Sequence, residues 1–156
     1  MENMKKGIIL GSMVIVLVIL GIVFFDKSNE IKEKKFQTIK INDIFLNVEI
    51  ADTDKERIKG LSGRKNLEEN KGLLFVFDTE GYHGIWMKDM NFNIDIAWLD
   101  KNKKIIHIEK NVSPNTYPKV FYSFDKDKPT LDLYVLETNA NFFEKADIEV
   151  EDLAEF

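Results

Sequence analysis

Hydrophobic and polar positions follow two different patterns along the chain. Residues 7–25 (GIILGSMVIVLVILGIVFF) are apolar almost throughout, whereas short apolar runs alternate with polar turns from residue 36 onward. At the rise of an α-helix, the apolar segment spans roughly 28 Å, which matches the hydrocarbon core of a bilayer. The pattern predicts a transmembrane helix followed by a β-rich domain.

The domain pattern predicts a series of short strands. Alternate residues of Ile44–Ala51 are apolar while Asn47 and Glu49 are polar, which is typical of a strand with one solvent-facing side. The run LLFVF is continuously apolar, which favours a strand buried on both faces. Such strands between turn signals predict a small antiparallel barrel-like or sandwich domain. The predicted strands are Phe36–Ile41, Ile44–Ala51, 73–77, 85–88, Ile94–Leu99, 104–109 and 131–137, and residues 148–153 close the domain.

Capping signals predict two short helices within the domain. Thr53 followed by Glu56 has the spacing of a capping box, and Gly60 is suited to the end of that helix. Asn141, with an acid three residues later, can begin the second helix. The segment 111–129 holds all 3 prolines, so we expect a constrained, irregular loop of the kind that often carries function.

The flanks of the apolar segment indicate that it is retained as an anchor. Lys5 and Lys6 precede it, as in a secretory signal peptide, but no A-x-A-like pair of small residues follows it. The chain has no Cys, which excludes a bacterial lipoprotein anchor. A cleaved signal peptide is the competing interpretation. A buried core helix is disfavoured because the segment has no polar stripe.

The anchor divides the chain into four predicted parts. Residues 1–6 form a short cytoplasmic tail, 7–25 the transmembrane anchor, 26–35 a polar juxtamembrane spacer and 36–156 one soluble domain. Lysines flank the anchor on both sides, so the positive-inside rule does not decide the orientation of the helix. Because a short tail before a signal anchor stays in the cytoplasm, we expect a single-pass protein of the cell membrane with its C-terminal domain outside.

Composition narrows the possible partners and cofactors. With 27 acidic against 22 basic residues the net charge is −5, which disfavours nucleic-acid binding. Without Cys there is no thiolate nucleophile and no Cys-based zinc site. His83 and His107 show no metal-ligand spacing, so no metal and no other cofactor is predicted. Gly7 and Gly11 form one G-x-x-x-G pair, a weak indication of a helix-mediated homodimer.

Ordered motifs in the domain resemble a known family. They are ERIKGLSGRKNL, LLFVF, GIWMKDMNFNIDIAWLD, a loop with Ser113-Pro114, and LYVLE. Over roughly residues 41–153 they resemble the domain of unknown function 192 family of small, often exported or anchored bacterial and archaeal proteins. The resemblance implies a compact β-barrel-like fold with short helices and no agreed enzyme activity. Its most specific element is formed here by Trp86, Met87, Lys88, Asp95 and Ile96.

The chain also departs from the family pattern. Ser62 stands where a Met is usual, Met90 and Asn93 replace the usual Thr and Pro, and residues 139–141 lack the usual Gly after the LYVLE strand. These departures bear on a shared ligand more than on the fold.

The most specific motif also supplies the candidate binding residues. Strand alternation places Trp86 and Lys88 on one side of their strand, and Asp95 can pair with Lys88 if the two predicted strands are neighbours. The alternative is a surface ion pair worth about 0 to 1 kcal/mol. Aromatic side chains, Trp98 included, can form a platform for a sugar or peptide, or simply pack. The candidate ligand-binding residues are Trp86, Lys88, Asp95, Asn111, Tyr117 and Tyr122.

Both arginines of the chain lie in or just after the first predicted helix. Arg57 and Arg64 can each hold a carboxylate through two hydrogen bonds, and Glu49 and Glu137 on alternating strands are the candidate partners. A structural bridge that pins the helix to the sheet is favoured over substrate binding.

Three functions are compatible with these patterns. The leading hypothesis is a membrane-anchored, extracytoplasmic binding or accessory domain for a small polar molecule, glycan or peptide. The first alternative is a cell-envelope hydrolase that uses Asp95 or Glu137 as acid or base. The second is a structural partner of other membrane proteins through the 7–25 helix. No nucleophile or complete catalytic set is recognisable, which disfavours an enzyme.

Overall fold

A computed structural model describes residues 34–123 and 130–156 of the chain. The described residues form a seven-stranded sheet, a two-stranded ribbon, two short helices and one 3₁₀ turn. The strands are β1 (Phe36–Ile41), β2 (Ile44–Ala51), β3 (Lys71–Gly81), β4 (Ile85–Trp86), β5 (Ile94–Leu99), β6 (Ile105–Val112), β7 (Val120–Phe121), β8 (Asp132–Asn139) and β9 (Ala154–Glu155). The helices are α1 (Asp54–Lys59) and α2 (Phe142–Lys145), and the 3₁₀ turn is Pro114–Thr116.

The large sheet is mixed rather than antiparallel throughout. Its strand order is β6-β5-β8-β3-β2-β1-β9, and β2 runs parallel to β3, whereas the other neighbours are antiparallel. The expectation of a purely antiparallel sheet is therefore wrong at this one pair. The connection from β2 to β3 contains α1, and a helical crossover of this kind is what parallel strands require.

The C-terminal segment joins the two edges of the sheet. β9 pairs with β1, while the backbone N–H groups of Ile105 and Ala154 donate to the carbonyls of Asp152 and Lys103 beside β6. Ile105 from β6 and Ile39 from β1 consequently belong to one buried cluster. The sheet curls around this inner cluster, which confirms the barrel-like fold.

The outer face of the sheet carries a second buried cluster. Leu73 of β3, Ile96 of β5 and Val135 of β8 contribute to it, and Leu61 and Met87 cover it from the segments after α1 and β4. The polypeptide therefore packs an irregular layer against the outside of the curled sheet. The candidate site lies in this layer.

The sequence predicted the start of α1 correctly. Thr53 and Glu56 form the expected capping box, which confirms α1. Residues 148–153 close the domain as expected: Leu153 forms an isolated bridge with Lys104, and Ala154–Glu155 follow as β9. Glu151 has a φ of 85°, which is incompatible with an extended strand.

The ribbon of β4 and β7 was not expected. β7 lies inside the segment predicted to be irregular, of which residues 124–129 are outside the described part. Ile85 pairs with Phe121 and both are buried, so the ribbon is held to the outer cluster by its inward side chains.

No helix within residues 34–123 and 130–156 is both long and apolar enough to span a membrane. The predicted tail, anchor, Gly7–Gly11 contact and most of the spacer lie outside the described residues and remain predictions.

Candidate functional site

A cleft of about 180 Å³ opens on the outer face of the sheet, between α1 and β4. Its walls are mostly apolar, and of the predicted site residues it includes Trp86, Arg57 and Glu137. The other lining residues are Ile58, Lys59, Gly60, Leu61, Ser62, Phe75, Phe77, Gly84, Ile85 and Met90.

Glu137 is the acidic side chain of this cleft. It lies on β8 opposite Leu73 of β3 and Ile96 of β5, and only 4% of its surface is exposed. Its Oε2 atom is buried and has no hydrogen-bond partner among the described residues. Burial raises the pKa of Glu137 to about 8, although the charge of Arg64 acts in the opposite direction. The carboxyl group is therefore mostly protonated at neutral pH.

Trp86 forms part of the opposite wall. As the alternation predicted, Ile85 and Met87 are buried while Trp86 is 43% exposed and Lys88 is exposed. The Lys88 ammonium lies 5.9 Å from the centre of the indole ring. Lys88 itself is not among the lining residues, and its ammonium lies over the indole instead.

Arg57 pins α1 to the sheet. Its guanidinium donates to the carbonyls of Asp52 and Val76, at 3.0 and 2.7 Å, and to the carboxylate of Asp54 at 2.7 Å. The predicted structural role of Arg57 is thus what the geometry shows, but its partners are backbone carbonyls and aspartates instead of Glu49 or Glu137. These bonds fix one wall of the cleft against β3.

Arg64 and Glu49 form the predicted bridge. The two side chains are 2.8 Å apart, and the Lys34 ammonium lies 2.9 Å from the same Glu49 oxygen. Burial acts to raise the pKa of Glu49, but the hydrogen bonds and charges of Lys34 and Arg64 outweigh it and hold the pKa below its usual value. This pair lines a separate polar groove with Asn66 and Lys71 and lies apart from the Trp86 cleft.

Asp95 has a structural role and does not pair with Lys88. Its carboxylate is fully buried on the inner face and accepts hydrogen bonds from the backbone N–H groups of Asn111, Asn141 and Phe143 at 2.7, 3.0 and 3.2 Å. The strands that carry Lys88 and Asp95 are not neighbours, as the pairing would have required. β4 pairs with β7 in the ribbon, whereas β5 lies inside the large sheet. Asp95 instead ties β6 and α2 to the sheet.

The remaining predicted site residues lie outside the cleft lining. Asn111 accepts from the Asn93 amide through its Oδ1 at 2.8 Å. Tyr117 and Tyr122 are exposed, and Tyr122 packs so closely on Gly84 that a Cβ there would lie 2.6 Å from its ring. Trp98 is fully buried and donates to the His83 carbonyl, so it cannot belong to an aromatic binding surface.

A pair formed by the buried Asp132 and the partly exposed His83 was missed from the sequence. Asp132 is fully buried, lies 2.5 Å from His83 Nδ1 and accepts hydrogen bonds from the Ser123 hydroxyl and the His83 N–H. The imidazole stacks on Phe77 with ring centres 3.5 Å apart. No local motif marks this pair, because its members are far apart in the chain. Within the described ranges, no three His, Asp or Glu side chains converge as a metal site would require.

The fold and site define a class: a small, mixed, barrel-like β domain with one apolar cleft on its outer face. A family model described as DUF192, Uncharacterized ACR, matches residues 37–156. The chain belongs to this family, as the motifs around Trp86 and Lys88 indicated. None of the curated proteins compared with the chain matches it.

Two solved structures share the fold. One is a candidate transcription regulator from Sinorhizobium meliloti 1021, with 23% identity and a TM-score of 0.71 over 79% of this chain and 95% of that one. The other is a protein of unknown function from Novosphingobium aromaticivorans DSM 12444, with 20% identity and a TM-score of 0.72 over 82% and 90%. At these identities the likeness concerns the fold alone.

Proposed function

We propose that this protein is a membrane-anchored, extracytoplasmic binding domain and that the cleft between α1 and β4 holds a small ligand. The observation that carries the proposal is the Glu137 side chain, which lines the cleft with a buried oxygen that has no partner within the described residues. An unpaired buried polar atom costs roughly 1–3 kcal/mol. A ligand that pairs with it removes that cost.

The walls of the cleft favour a ligand with a flat apolar part. Phe75, Phe77 and Trp86 contribute aromatic surface, and Gly84 lies beside them. Small-molecule sites combine predominantly apolar walls with a few placed polar groups, and this cleft has that character. The hydrogen bonds from Arg57 to the carbonyls of Asp52 and Val76 hold the α1 wall in place.

The hydrolase alternative now depends on Glu137 alone. A raised pKa suits a general acid, but Glu137 is the only acidic side chain that lines this cleft among the described residues. Asp95 cannot serve as its partner, since its oxygens accept three backbone hydrogen bonds on the other face of the sheet. A hydrolytic mechanism that uses two carboxyl groups finds only one in this cleft among the described residues. Ligand binding is therefore favoured over hydrolysis.

The proposal is tested with the full-length chain in detergent micelles. A library of small ring compounds, charged and uncharged, is screened by ¹H–¹⁵N NMR, and we expect hits to shift the Gly84 and Trp86 resonances. Trp86→Ala should abolish those shifts, whereas Tyr117→Ala, an exposed aromatic outside the cleft lining, should leave them unchanged.

Absence of cleft shifts from every compound would overturn the proposal. In that case the remaining hypothesis is a structural partner that acts through the 7–25 helix. Hits that persist in Trp86→Ala would place binding elsewhere and count equally against the cleft.

A further inference from the structure

We infer that the ligand of this cleft is uncharged and presents an amide or lactam group to Glu137, with one flat apolar ring against the aromatic wall. The inference rests on the proposed binding function and adds the chemical class of the ligand.

The charges around the cleft disfavour a cationic ligand. Arg57 and Lys59 line it, and no acid other than Glu137 does so among the described residues. Two of the aromatic rings in the wall already have a cation: Lys88 lies 5.9 Å from the centre of the Trp86 ring, and Arg57 lies 5.4 Å from that of Phe77. A further positive charge would enter a cleft lined by two cations and find those two rings engaged.

An anionic ligand is disfavoured for a different reason. Arg57, the obvious anion-binding group, already donates to Asp52, Val76 and Asp54. The polar group that remains unpaired is a carboxyl. An ionised ligand would lose its hydration between the mostly apolar walls, and the Lys59 cation offsets only part of that cost. An uncharged ligand avoids both penalties.

An amide matches the hydrogen-bonding capacity of a protonated carboxyl. A protonated Glu offers one O–H donor and one carbonyl acceptor side by side. An amide offers a carbonyl acceptor and an N–H donor with the same spacing, so the two groups can form paired hydrogen bonds. A lone hydroxyl or ether satisfies only part of that set.

The size of the cleft limits the apolar part to about one ring. Its volume is about 180 Å³. An engineered apolar cavity of about 150 Å³ in another protein binds benzene, so a single ring with a small substituent fits. Phe75 and Trp86 supply flat surface on which such a ring can pack.

Four probes that share one ring test the inference: benzamide, benzylamine as its cation, benzoate and toluene. Each is titrated into the full-length chain in micelles while the Gly84 and Trp86 resonances are followed. We expect benzamide to bind most tightly, with the millimolar affinity usual for a fragment of this size. In Glu137→Leu we expect benzamide to lose about tenfold in affinity and toluene to lose nothing.

Glu137→Gln separates the hydrogen bonds from the charge. This variant keeps an uncharged side chain that both donates and accepts, so we expect it to retain benzamide binding. In the unaltered protein, affinity should fall as pH rises and Glu137 ionises, and in Glu137→Gln it should not. The charged groups near Glu137 are Arg64, which acts on its ionisation, and the cleft residues Arg57 and Lys59.

The outcomes distinguish the inference from the proposed function. If benzylamine or benzoate shifts the cleft resonances at lower concentration than benzamide, the amide inference fails and the binding cleft stands. If benzamide binds a folded Glu137→Leu variant as well as the unaltered protein, the inference also fails. If none of the four probes shifts the cleft resonances, both the inference and the assignment of this cleft fail together.

Discussion

Asp95 and Glu137 lie on the neighbouring antiparallel strands β5 and β8 but project from opposite faces of the sheet. Glu137 pairs with Ile96 and Asp95 with Thr138, so alternation sends the two carboxyl groups in opposite directions. The carboxylate of Asp95 accepts three backbone hydrogen bonds inside the barrel-like core, whereas Glu137 lines the outer cleft. The two acids that the sequence offered as alternatives for catalysis therefore differ in position: Asp95 is held by backbone N–H groups, and Glu137 lines the cleft.

The ionisation of Glu137 predicts an unusual pH dependence of stability. Its pKa is about 8 in the folded protein against 4.5 for an ordinary glutamate, so the folded state keeps a proton that the unfolded state releases between those values. The contribution of Glu137 is fully present below about pH 4.5 and is lost as pH rises through about 8. We expect the urea midpoint to fall across this window by the equivalent of a few kcal/mol in total, given about 1.4 kcal/mol per pKa unit.

Glu137→Gln should flatten this part of the curve, because the amide does not titrate. Glu69→Gln removes an exposed carboxyl and serves as the matched control, with a pH profile parallel to that of the unaltered protein. Parallel profiles for Glu137→Gln and the unaltered protein would show that the carboxyl is not held neutral by burial.

The charge of Arg64 influences the pKa of Glu137. Its positive charge lowers the pKa of Glu137 against the larger effect of burial. Arg64→Met should therefore move the titration of Glu137 to higher pH, measured by ¹³C NMR of the glutamate side chains. Lys65→Met removes the neighbouring, exposed cation and should leave the midpoint unchanged. A shift to lower pH in Arg64→Met would contradict the assigned electrostatics.

Asp95 is predicted to be a major structural residue. Asp95→Ala leaves the N–H groups of Asn111, Asn141 and Phe143 without their acceptor, and each hydrogen bond to a charged group contributes roughly 1.5–3 kcal/mol. We expect a loss of at least about 3 kcal/mol in the free energy of unfolding. Asp43→Ala, in the exposed turn between β1 and β2, should cost well under 1 kcal/mol, roughly the usual surface effect. Equal losses in the two variants would refute the structural role.

Asp132 is predicted to fix the segment before β4 through His83. Asp132→Asn weakens the bond to His83 Nδ1, so we expect faster amide exchange at His83 and Gly84 and a loss of roughly 1–3 kcal/mol. Ser123→Ala removes only one hydroxyl donor from the same carboxylate and should cost less, about 1 kcal/mol. If Ser123→Ala is the more damaging change, the imidazole is not the principal partner of Asp132.

The anchor remains a prediction that cell biology can settle. With a C-terminal epitope tag on the full-length protein, protease added to intact cells should remove the tag, because the domain is expected to lie outside. Deletion of residues 7–25 should release the protein from the membrane fraction. Broken cells supply the control for protease access. A tag that is protected in intact cells and digested only in broken ones would reverse the predicted orientation.

Local patterns were enough wherever neighbouring residues decide the structure. The alternation in Ile44–Ala51 and the capping box of Thr53 and Glu56 were predicted correctly, because strand facing and helix starts depend on residues within a few positions. The burial of Ile85 and Met87 beside the exposed Trp86 followed from the same alternation. The motifs around Trp86 likewise identified the family before the fold was known.

Strand partners could not be obtained in this way. β4 pairs with β7, which lies inside a segment that looked irregular. This pairing keeps Trp86 and Lys88 away from Asp95. The same difficulty hid the Asp132–His83 pair, since the two residues meet only after β8 takes its place in the sheet.

The sequence by itself determined that a β-rich domain of this family follows an apolar segment, because composition and short-range periodicity carry that information. That this segment anchors the protein in a membrane stays a prediction. Only the tertiary structure decided what each acidic residue does. The face on which a carboxyl lies depends on the register of strands distant in sequence, and the pKa of Glu137 depends on burial by residues that its own strand does not contain. The difference between a structural Asp95 and an available Glu137 is therefore a property of the folded sheet.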